Sequence, residues 1–255
     1  MKENQSNITH EELEKGVFLA ARGGGIRSCV AIDVLKALEE ANIPVMGISG
    51  ESMSSLIAAL LAYGYNSKEI MNLFLEYNEI ITKEAKIYGG RGSIIIEEKM
   101  NYVTNNAKMK DLNLDCYINA CYGKLLNPSL VLFSKETTPN ETLGTACRAS
   151  ASLPILFGNY NKEINGQEYD LFDGGFLYNP YIPKTEYPII YASFYNYIDY
   201  YKILSKTRKI INMSNDASDA VIYAPVKKVL ITGSNKDMLE SFESGYKQAK
   251  KVLKI

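Results

Sequence analysis

Hydrophobic residues near the start of the chain alternate between short continuous runs and stretches with helical spacing. Residues 16–21 and 44–49 are apolar runs, which are typical of strands buried on both faces of a sheet. Residues 26–40 place apolar side chains three and four apart, and residues 53–63 are apolar almost throughout, which predicts two helices, the second ending at Gly64. This order favours parallel strands joined by helical crossovers.

The rest of the chain continues this alternation. Further strands are predicted at residues 115–122, 129–134, 168–172 and 189–194, and further helices at residues 67–82, 141–150 and 234–253. The glycines of residues 86–92 predict an open loop, and the segment from there to residue 110 fits neither pattern. We therefore predict a single α/β domain over residues 1–255, a three-layer α/β/α arrangement around a mostly parallel central sheet.

Composition and charge exclude several classes of protein. The 28 basic and 29 acidic side chains give a net charge of −1, so the positive surface of a nucleic-acid binder is missing. No apolar run reaches the ~18 residues of a membrane-spanning helix, and the polar N-terminus has no signal-peptide core. We expect a cytoplasmic protein, with leaderless export left open.

The single histidine restricts the chemistry. His10 follows Thr9 in a Thr-His-Glu-Glu segment that predicts a capping box, so we interpret it as a solvated surface residue. A Ser-His-Asp triad and a histidine-ligated zinc site both need a positioned imidazole and are therefore excluded. The four cysteines form no C-x-x-C pair, which favours reduced, buried thiols. We expect no metal and no cofactor.

The first strand-to-helix junction contains three consecutive glycines. Gly23, Gly24 and Gly25 allow close approach of a ligand, and their N–H groups suit a phosphate or an oxyanion. The segment from Gly23 to Ser28 nearly matches the dinucleotide fingerprint, but Ser28 replaces its third glycine. A nucleotide-binding enzyme therefore stays a third hypothesis.

The second junction offers two candidate nucleophiles, Ser49 and Ser52. A nucleophile elbow needs small residues two positions before and after the serine. Ser49 lies in the predicted strand and has Glu51 at one of those places. Ser52 has Gly50 and Ser54 there and lies just ahead of an apolar helix, whose dipole favours negative charge. We predict that Ser52 is the nucleophile, and a simple helix cap is the alternative.

Asp173 is the candidate base. Without a histidine, a serine nucleophile needs a carboxylate or a lysine as its base. Asp173 follows the predicted strand at residues 168–172 and precedes Gly174 and Gly175, so it is placed at the carboxyl end of a strand. A plain Asp-Gly turn is the alternative.

Three segments together resemble the patatin-like phospholipase family. Its glycine loop, elbow and D-G-G motifs appear here as residues 23–28 (GGGIRS), 50–54 (GESMS) and 173–175 (DGG). Residues 50–65 match the elbow and the helix after it without a gap, and residues 148–157 (RASASLPILF) are similar to a further family segment. The resemblance covers about residues 17–183.

The resemblance implies a serine acyl hydrolase of the phospholipase A or lysophospholipase type. It would cleave ester bonds of acyl lipids through a Ser52–Asp173 dyad and an acyl-serine intermediate. The oxyanion is then expected on the N–H groups of Gly23, Gly24, Gly25 and Met53. Arg27 is expected to bind the substrate, for example a head-group phosphate, and a structural salt bridge is its alternative.

Three positions depart from the family pattern. Ser28 and Ser54 stand where the family prefers glycine, and a need for positive φ at either would cost about 1–2 kcal/mol. Glu51 beside the nucleophile is unusual, because a carboxylate there would repel a developing oxyanion unless it points away. A catalytically impaired lipid-binding protein is therefore the alternative function.

Two segments are candidates for transient contact with a membrane surface. They are the tyrosine-rich residues 194–201 and the basic, amphipathic residues 247–254, although core packing and solvation are the more common uses of such segments. Residues 86–110 are a candidate cap over the site. We expect an acyl-lipid partner and no nucleic acid, and the oligomeric state stays open.

Overall fold

The computed structural model describes residues 5–84, 91–176, 178–195, 218–225 and 233–255. Its helices are α1 (His10–Lys15), α2 (Cys29–Glu40), α3 (Ser54–Tyr63), α4 (Ser67–Glu84), α5 (Gly92–Val103), α6 (Leu143–Ala151) and α7 (Asn235–Leu253). Its strands are β1 (Gln5–Ser6), β2 (Val17–Ala21), β3 (Val45–Glu51), β4 (Asp115–Lys124), β5 (Asn127–Phe133), β6 (Tyr160–Ile164), β7 (Gln167–Phe172), β8 (Ile189–Tyr195) and β9 (Ala220–Pro225). A 3₁₀ turn, Gly25–Ser28, leads into α2.

The strands form one nine-stranded sheet in the order β1-β9-β8-β2-β3-β4-β7-β6, with β5 paired to β4. The neighbours from β9 through β8, β2 and β3 to β4 are parallel. Strands β1, β5, β6 and β7 pair antiparallel, so the sheet is mixed, with its parallel strands in the middle. The predicted α/β architecture is confirmed, and the antiparallel share is larger than the sequence indicated.

The two faces of the sheet carry different layers. Along β2, Leu19 and Ala21 belong to the large core, in which helices contact the sheet, whereas Phe18 and Ala20 belong to a smaller cluster on the other face. Among the described residues, strand side chains and the segment around Ile182 cover that smaller cluster. The described residues thus show one helical layer, on one face only, of the two that were predicted.

Helix α5 fills the segment whose pattern was ambiguous. It packs on α6, and Arg148 Nη1 lies 2.7 Å from Glu97 Oε2 across the contact. The N–H of Gly144 donates to Asn101 Oδ1 at 3.2 Å. Helix α5 is therefore part of the helical layer and not a cap over the site, while residues 85–90 lie outside the described residues.

The two candidate membrane segments differ in outcome. The apolar face of α7 packs on α2 and β9, burying Met238, Ala249 and Leu253, so the core already uses the face that a lipid surface would need. Residues 196–201 of the tyrosine-rich segment lie outside the described residues. Within the ranges that the structure describes, none of the helices has both the length and the apolar character needed to cross a bilayer.

The contact between α2 and α7 buries an aspartate. Asp33 is fully buried, and a Cβ at Gly245 would overlap its Oδ2, so the two helices meet this closely because residue 245 is glycine. Burial raises the pKa of Asp33 to about 10, outweighing the opposite effects of nearby backbone N–H groups and of Lys36. The carboxyl group is therefore protonated in the folded protein at neutral pH.

Replacing Asp33 by asparagine is expected to stabilise the fold at neutral and alkaline pH. The unfolded chain ionises this carboxyl near its ordinary pKa of 3.8, and the folded protein only near 10. Rising pH between these values therefore favours the unfolded state of the wild type. Urea unfolding at pH 5 and pH 9 should show a larger drop in midpoint for the wild type than for the variant. Equal drops would contradict this role of Asp33.

Candidate active site

The predicted nucleophile lies on a tight turn between β3 and α3. Ser52 has φ 52°, in the left-handed region that residues other than glycine seldom adopt. Its N–H donates to Ser150 Oγ at 2.8 Å, and that hydroxyl donates to the carbonyl oxygen of Asn119 at 2.7 Å. Ser55 Oγ donates to the Ser52 carbonyl oxygen at 2.5 Å. The side chains of Ser150 on α6 and Ser55 on α3 thus hold the strained backbone in place.

The nucleophile and the candidate base meet, although they are 121 positions apart. Ser52 Oγ donates to Asp173 Oδ2 at 2.7 Å. The N–H of Gly175 donates to Asp173 Oδ1 at 2.8 Å, and the Asp173 N–H donates to the Ser152 carbonyl oxygen at 2.9 Å. Ser49, by contrast, lies inside β3 with a fully buried side chain. The hydrogen-bond reach required of a nucleophile and its base is therefore met at Ser52.

The environment of Asp173 makes it a stronger base than an exposed aspartate. Burial raises the pKa of Asp173 to about 6, while the hydrogen bonds from Ser52 and from the Gly175 N–H lower it. An exposed aspartate has a pKa near ~3.9. At neutral pH the Asp173 carboxylate is still mostly ionised, which suits general-base chemistry near pH 7.

The glycine loop approaches the elbow more closely than side chains allow. A Cβ at Gly23 would lie 2.6 Å from the Ser52 Cβ, and a Cβ at Gly24 would overlap the ring of Phe194. Gly25 has φ 64°, which begins the 3₁₀ turn. Gly23 is therefore needed for contact with the nucleophile turn, Gly24 for the close approach of Phe194, and Gly25 for the backbone conformation that begins the 3₁₀ turn.

The N–H groups of the loop are not equivalent. The N–H of Gly23 donates to Glu51 Oε1 at 2.9 Å, so this group is already bound and does not fit the oxyanion role expected of it. Gly25 and Met53 line the cleft beside the dyad. Met53 directly precedes α3, and the first N–H groups of a helix lack acceptors within it. Gly25 and Met53 are thus candidate oxyanion donors at the cleft, and Gly24, which does not line it, stays a candidate from the sequence alone.

Arg27 contacts the protein instead of the cleft. Its Nε donates to the Gly24 carbonyl oxygen at 2.9 Å, and its guanidinium carbon lies 4.4 Å from the centre of the Phe194 ring. The side chain is buried and is not among the residues that line the cleft. Arg27 therefore braces the glycine loop, and the expected contact with substrate does not fit this position.

The two serines that replace family glycines are accommodated without backbone strain. Ser28 has φ −60°, and Ser54 lies in the first turn of α3, so neither occupies the left-handed region. Ser54 Oγ donates to the carbonyl oxygen of Arg22 at 2.7 Å, which ties the elbow to the end of β2. These departures therefore leave the geometry of the turn intact.

A narrow apolar cleft opens on the dyad. The sequence indicated neither this cleft nor the supporting role of Ser150, although residues 148–157 were already part of the resemblance. Within the described ranges, no group of three or more His, Cys, Asp or Glu side chains is placed to hold a metal. Residues lining the cleft are Gly25, Ile26, Ser52, Met53, Asn78, Ile81, Ala151, Leu153, Leu156, Phe157 and Asp173.

Comparison with known protein families shows to which family the chain belongs. The sequence profile described as "Patatin-like phospholipase" matches residues 19–183, well over half of the chain. The chain belongs to the patatin-like phospholipase family. Membership accounts for the glycine loop, the elbow and the D-G-G turn together, because all three lie within the matched span.

Patatin-like relatives match the chain only over part of their length. "Probable lipid hydrolase 463L" of Invertebrate iridescent virus 6 is 25% identical over 175 residues, which are 60% of this chain and 60% of the viral protein. "Patatin-like phospholipase domain-containing protein 6" of Homo sapiens is 52% identical over 46 residues, 18% of this chain and 3% of the human protein. The chain thus spans less than two thirds of these relatives.

Two solved bacterial structures share the fold. VipD from Legionella pneumophila superposes with a TM-score of 0.60 at 14% identity, covering 100% of this chain and 71% of that one. The type III effector ExoU superposes with a TM-score of 0.56 at 16% identity, covering 94% of this chain and 53% of that one. At such identities the likeness concerns the fold alone.

Proposed function

We propose that this patatin-like protein is a serine acyl hydrolase of the phospholipase A or lysophospholipase type, acting on ester bonds of acyl lipids. The observation that carries the proposal is the 2.7 Å hydrogen bond from Ser52 Oγ to Asp173 Oδ2 at an apolar cleft. Family membership supports a lipid substrate, as does the viral relative whose name is that of a lipid hydrolase.

The reaction begins with attack on the ester. Ser52 Oγ forms a bond to the carbonyl carbon, and its proton passes to Asp173 Oδ2. The carbonyl oxygen becomes an oxyanion, which the N–H groups of Gly24, Gly25 and Met53 would hold. The bond from carbon to the leaving oxygen then breaks, and the departing alcohol takes the proton from Asp173. The product of this half is an acyl ester on Ser52.

Water completes the cycle. Asp173 accepts a proton from a water molecule, whose oxygen attacks the carbonyl carbon of the acyl-serine. The same N–H groups stabilise the second oxyanion. The bond to Ser52 Oγ breaks, the serine recovers its proton from Asp173, and a fatty acid leaves.

Local geometry favours the hydrolase over the catalytically impaired alternative. That alternative was motivated by strain at Ser28 and Ser54, yet neither residue has a positive φ. The carboxylate of Glu51 is bound to the Gly23 N–H and so does not point freely at the oxyanion. These observations support turnover.

Fatty-acid release tests the proposal directly. The purified protein is incubated with phosphatidylcholine vesicles and with lysophosphatidylcholine, and free fatty acid is measured by mass spectrometry. A fluorophosphonate should stop the release and add its mass to a peptide containing Ser52. Binding of lysolipid without release and without labelling would overturn the hydrolase and favour the lipid-binding alternative.

Acyl-chain length should control the rate on soluble esters. We expect kcat/KM for p-nitrophenyl esters to rise from acetyl to octanoyl and beyond, because each methylene buried in the cleft contributes about 0.8 kcal/mol. Ile81→Trp should shift the optimum to shorter chains, since Ile81 lines the cleft. Tyr102→Trp is the matched control, because Tyr102 is 84% exposed and lies outside the cleft. A flat profile would contradict an acyl-binding role of the cleft.

A further inference from the structure

A buried carboxyl group joins the three sequence motifs of the site. Glu51 is the last residue of β3, directly before the nucleophile, and is 1% exposed. Its Oε1 accepts the N–H of Gly23 at 2.9 Å, across 28 positions of sequence. The sequence indicated that the Glu51 carboxylate would repel a developing oxyanion, but its side chain accepts a specific hydrogen bond from the glycine loop.

The same carboxyl group occupies the space left by two glycines. A Cβ at Gly23 or at Gly175 would overlap Glu51 Oε2. Gly175 is also the residue whose N–H donates to Asp173 Oδ1 at 2.8 Å. Glu51 is thus packed between the loop that offers the oxyanion donors and the turn that holds the base.

We propose that Glu51 is a positioning residue that fixes the glycine loop over the dyad. The proposal rests on the proposed function, because these donors act on the oxyanion that forms when Ser52 attacks an ester. The Gly23 N–H is buried, so without its acceptor the loop would move to satisfy it elsewhere. The adjoining Gly24 and Gly25 N–H groups would then leave the positions where an oxyanion forms, and such donors act mainly on the transition state.

Kinetics of two Glu51 variants test the bond to Gly23. Glu51→Ala should lower kcat by about 10- to 100-fold with little change in KM, since complete loss of one oxyanion donor costs about 10²–10³ and displaced donors cost less than lost ones. Glu51→Gln keeps an acceptor oxygen and the side-chain shape, so its kcat should stay within about threefold of the wild type. A normal kcat for the alanine variant, or a glutamine variant as slow as alanine, would overturn the proposal.

A paired variant separates the hydrogen bond from simple filling of space. Gly175→Ala in the Glu51→Ala background places a methyl group where the carboxyl was, because the three atoms nearest to a Cβ there all belong to Glu51. This double variant should regain thermal stability but not kcat. For this comparison, kcat is calculated from the concentration of active sites that the fluorophosphonate labels. Recovery of kcat to the wild-type value would overturn the proposal. The double variant also serves if the single alanine variant does not fold.

Hydrogen exchange tests the role of Glu51 without an activity measurement. Exchange of the backbone amides of residues 22–28 is followed by mass spectrometry in the wild type and in both single variants. Slow exchange in the wild type and the glutamine variant, with fast exchange in the alanine variant, supports the proposal. Equal exchange in all three overturns it. A wild type that releases no fatty acid refutes the proposed function, and the exchange result still decides whether Glu51 holds the loop.

Discussion

Replacement of Ser52 by alanine is expected to abolish hydrolysis, lowering the rate by at least about 10⁴-fold. The variant has no side-chain oxygen at residue 52 to attack the ester. Among the described residues, no other serine hydroxyl donates a hydrogen bond to the carboxylate of Asp173. Intact-protein mass spectrometry after fluorophosphonate treatment should show one adduct on the wild type and none on the variant. Fatty-acid release should stop in parallel.

Ser49→Ala is the matched control for this experiment. Ser49 lies three residues upstream, is fully buried, and in the described part of the chain its hydroxyl has no hydrogen-bond partner. Removing that hydroxyl should leave the rate and the labelling unchanged, because it breaks no hydrogen bond and removes a buried unpaired group that costs stability. Labelling that survives Ser52→Ala, or that disappears in Ser49→Ala, would refute the assignment of the nucleophile.

Asp173→Asn is expected to lower kcat by about 10⁴-fold while raising the thermal stability. The amide cannot accept the proton of Ser52, so acylation loses its base. In the wild type, kcat/KM should fall tenfold per pH unit below an apparent pKa of about 6, because protonated Asp173 is inactive. A profile that stays level down to pH 4.5 would show that another group is the base.

The stability effect of the same variant has a definite sign. Burial raises the pKa of Asp173 from 3.8 to about 6, so the wild type loses stability as pH rises through this interval. Two pKa units correspond to about 3 kcal/mol at neutral pH, partly offset by the weaker hydrogen bonds of the amide. The gain in Tm should therefore be larger at pH 7 than at pH 4. A variant that is less stable at pH 7 would contradict this account.

Local signals and the family resemblance together selected Ser52 and Asp173, which the structure places in hydrogen-bond contact, and local signals indicated the parallel middle of the sheet. Ser52 followed from the small residues around it, and the structure places it on a turn with φ 52°. Asp173 followed from its place after a strand. The β6–β7 hairpin was missed, although Asn165-Gly166, with φ 52° and 81°, is the residue pair that such two-residue turns require.

Long-range partners could not be found in the same way. Two such contacts are the bond between Glu51 and the Gly23 N–H and the stacking of Arg27 on Phe194. Each joins segments that are distant in sequence, and the local pattern of one segment does not predict its contact with the other. The role of Ser150 likewise depends on the packing of α6 beside β4, which brings its hydroxyl under the Ser52 N–H. Such contacts are set by tertiary packing, so residue roles that depend on them needed the structure.

The elevated pKa of Asp173 arises from dryness and not from a neighbouring charge. The strength of this base is therefore tied to how well water is kept away from it. On the proposed mechanism, an acyl chain that fills the cleft keeps water away from Asp173, so its pKa should stay raised while substrate is bound. A short ester leaves part of the cleft to water, so we expect a weaker base with such substrates, and selection between esters by rate as well as by binding.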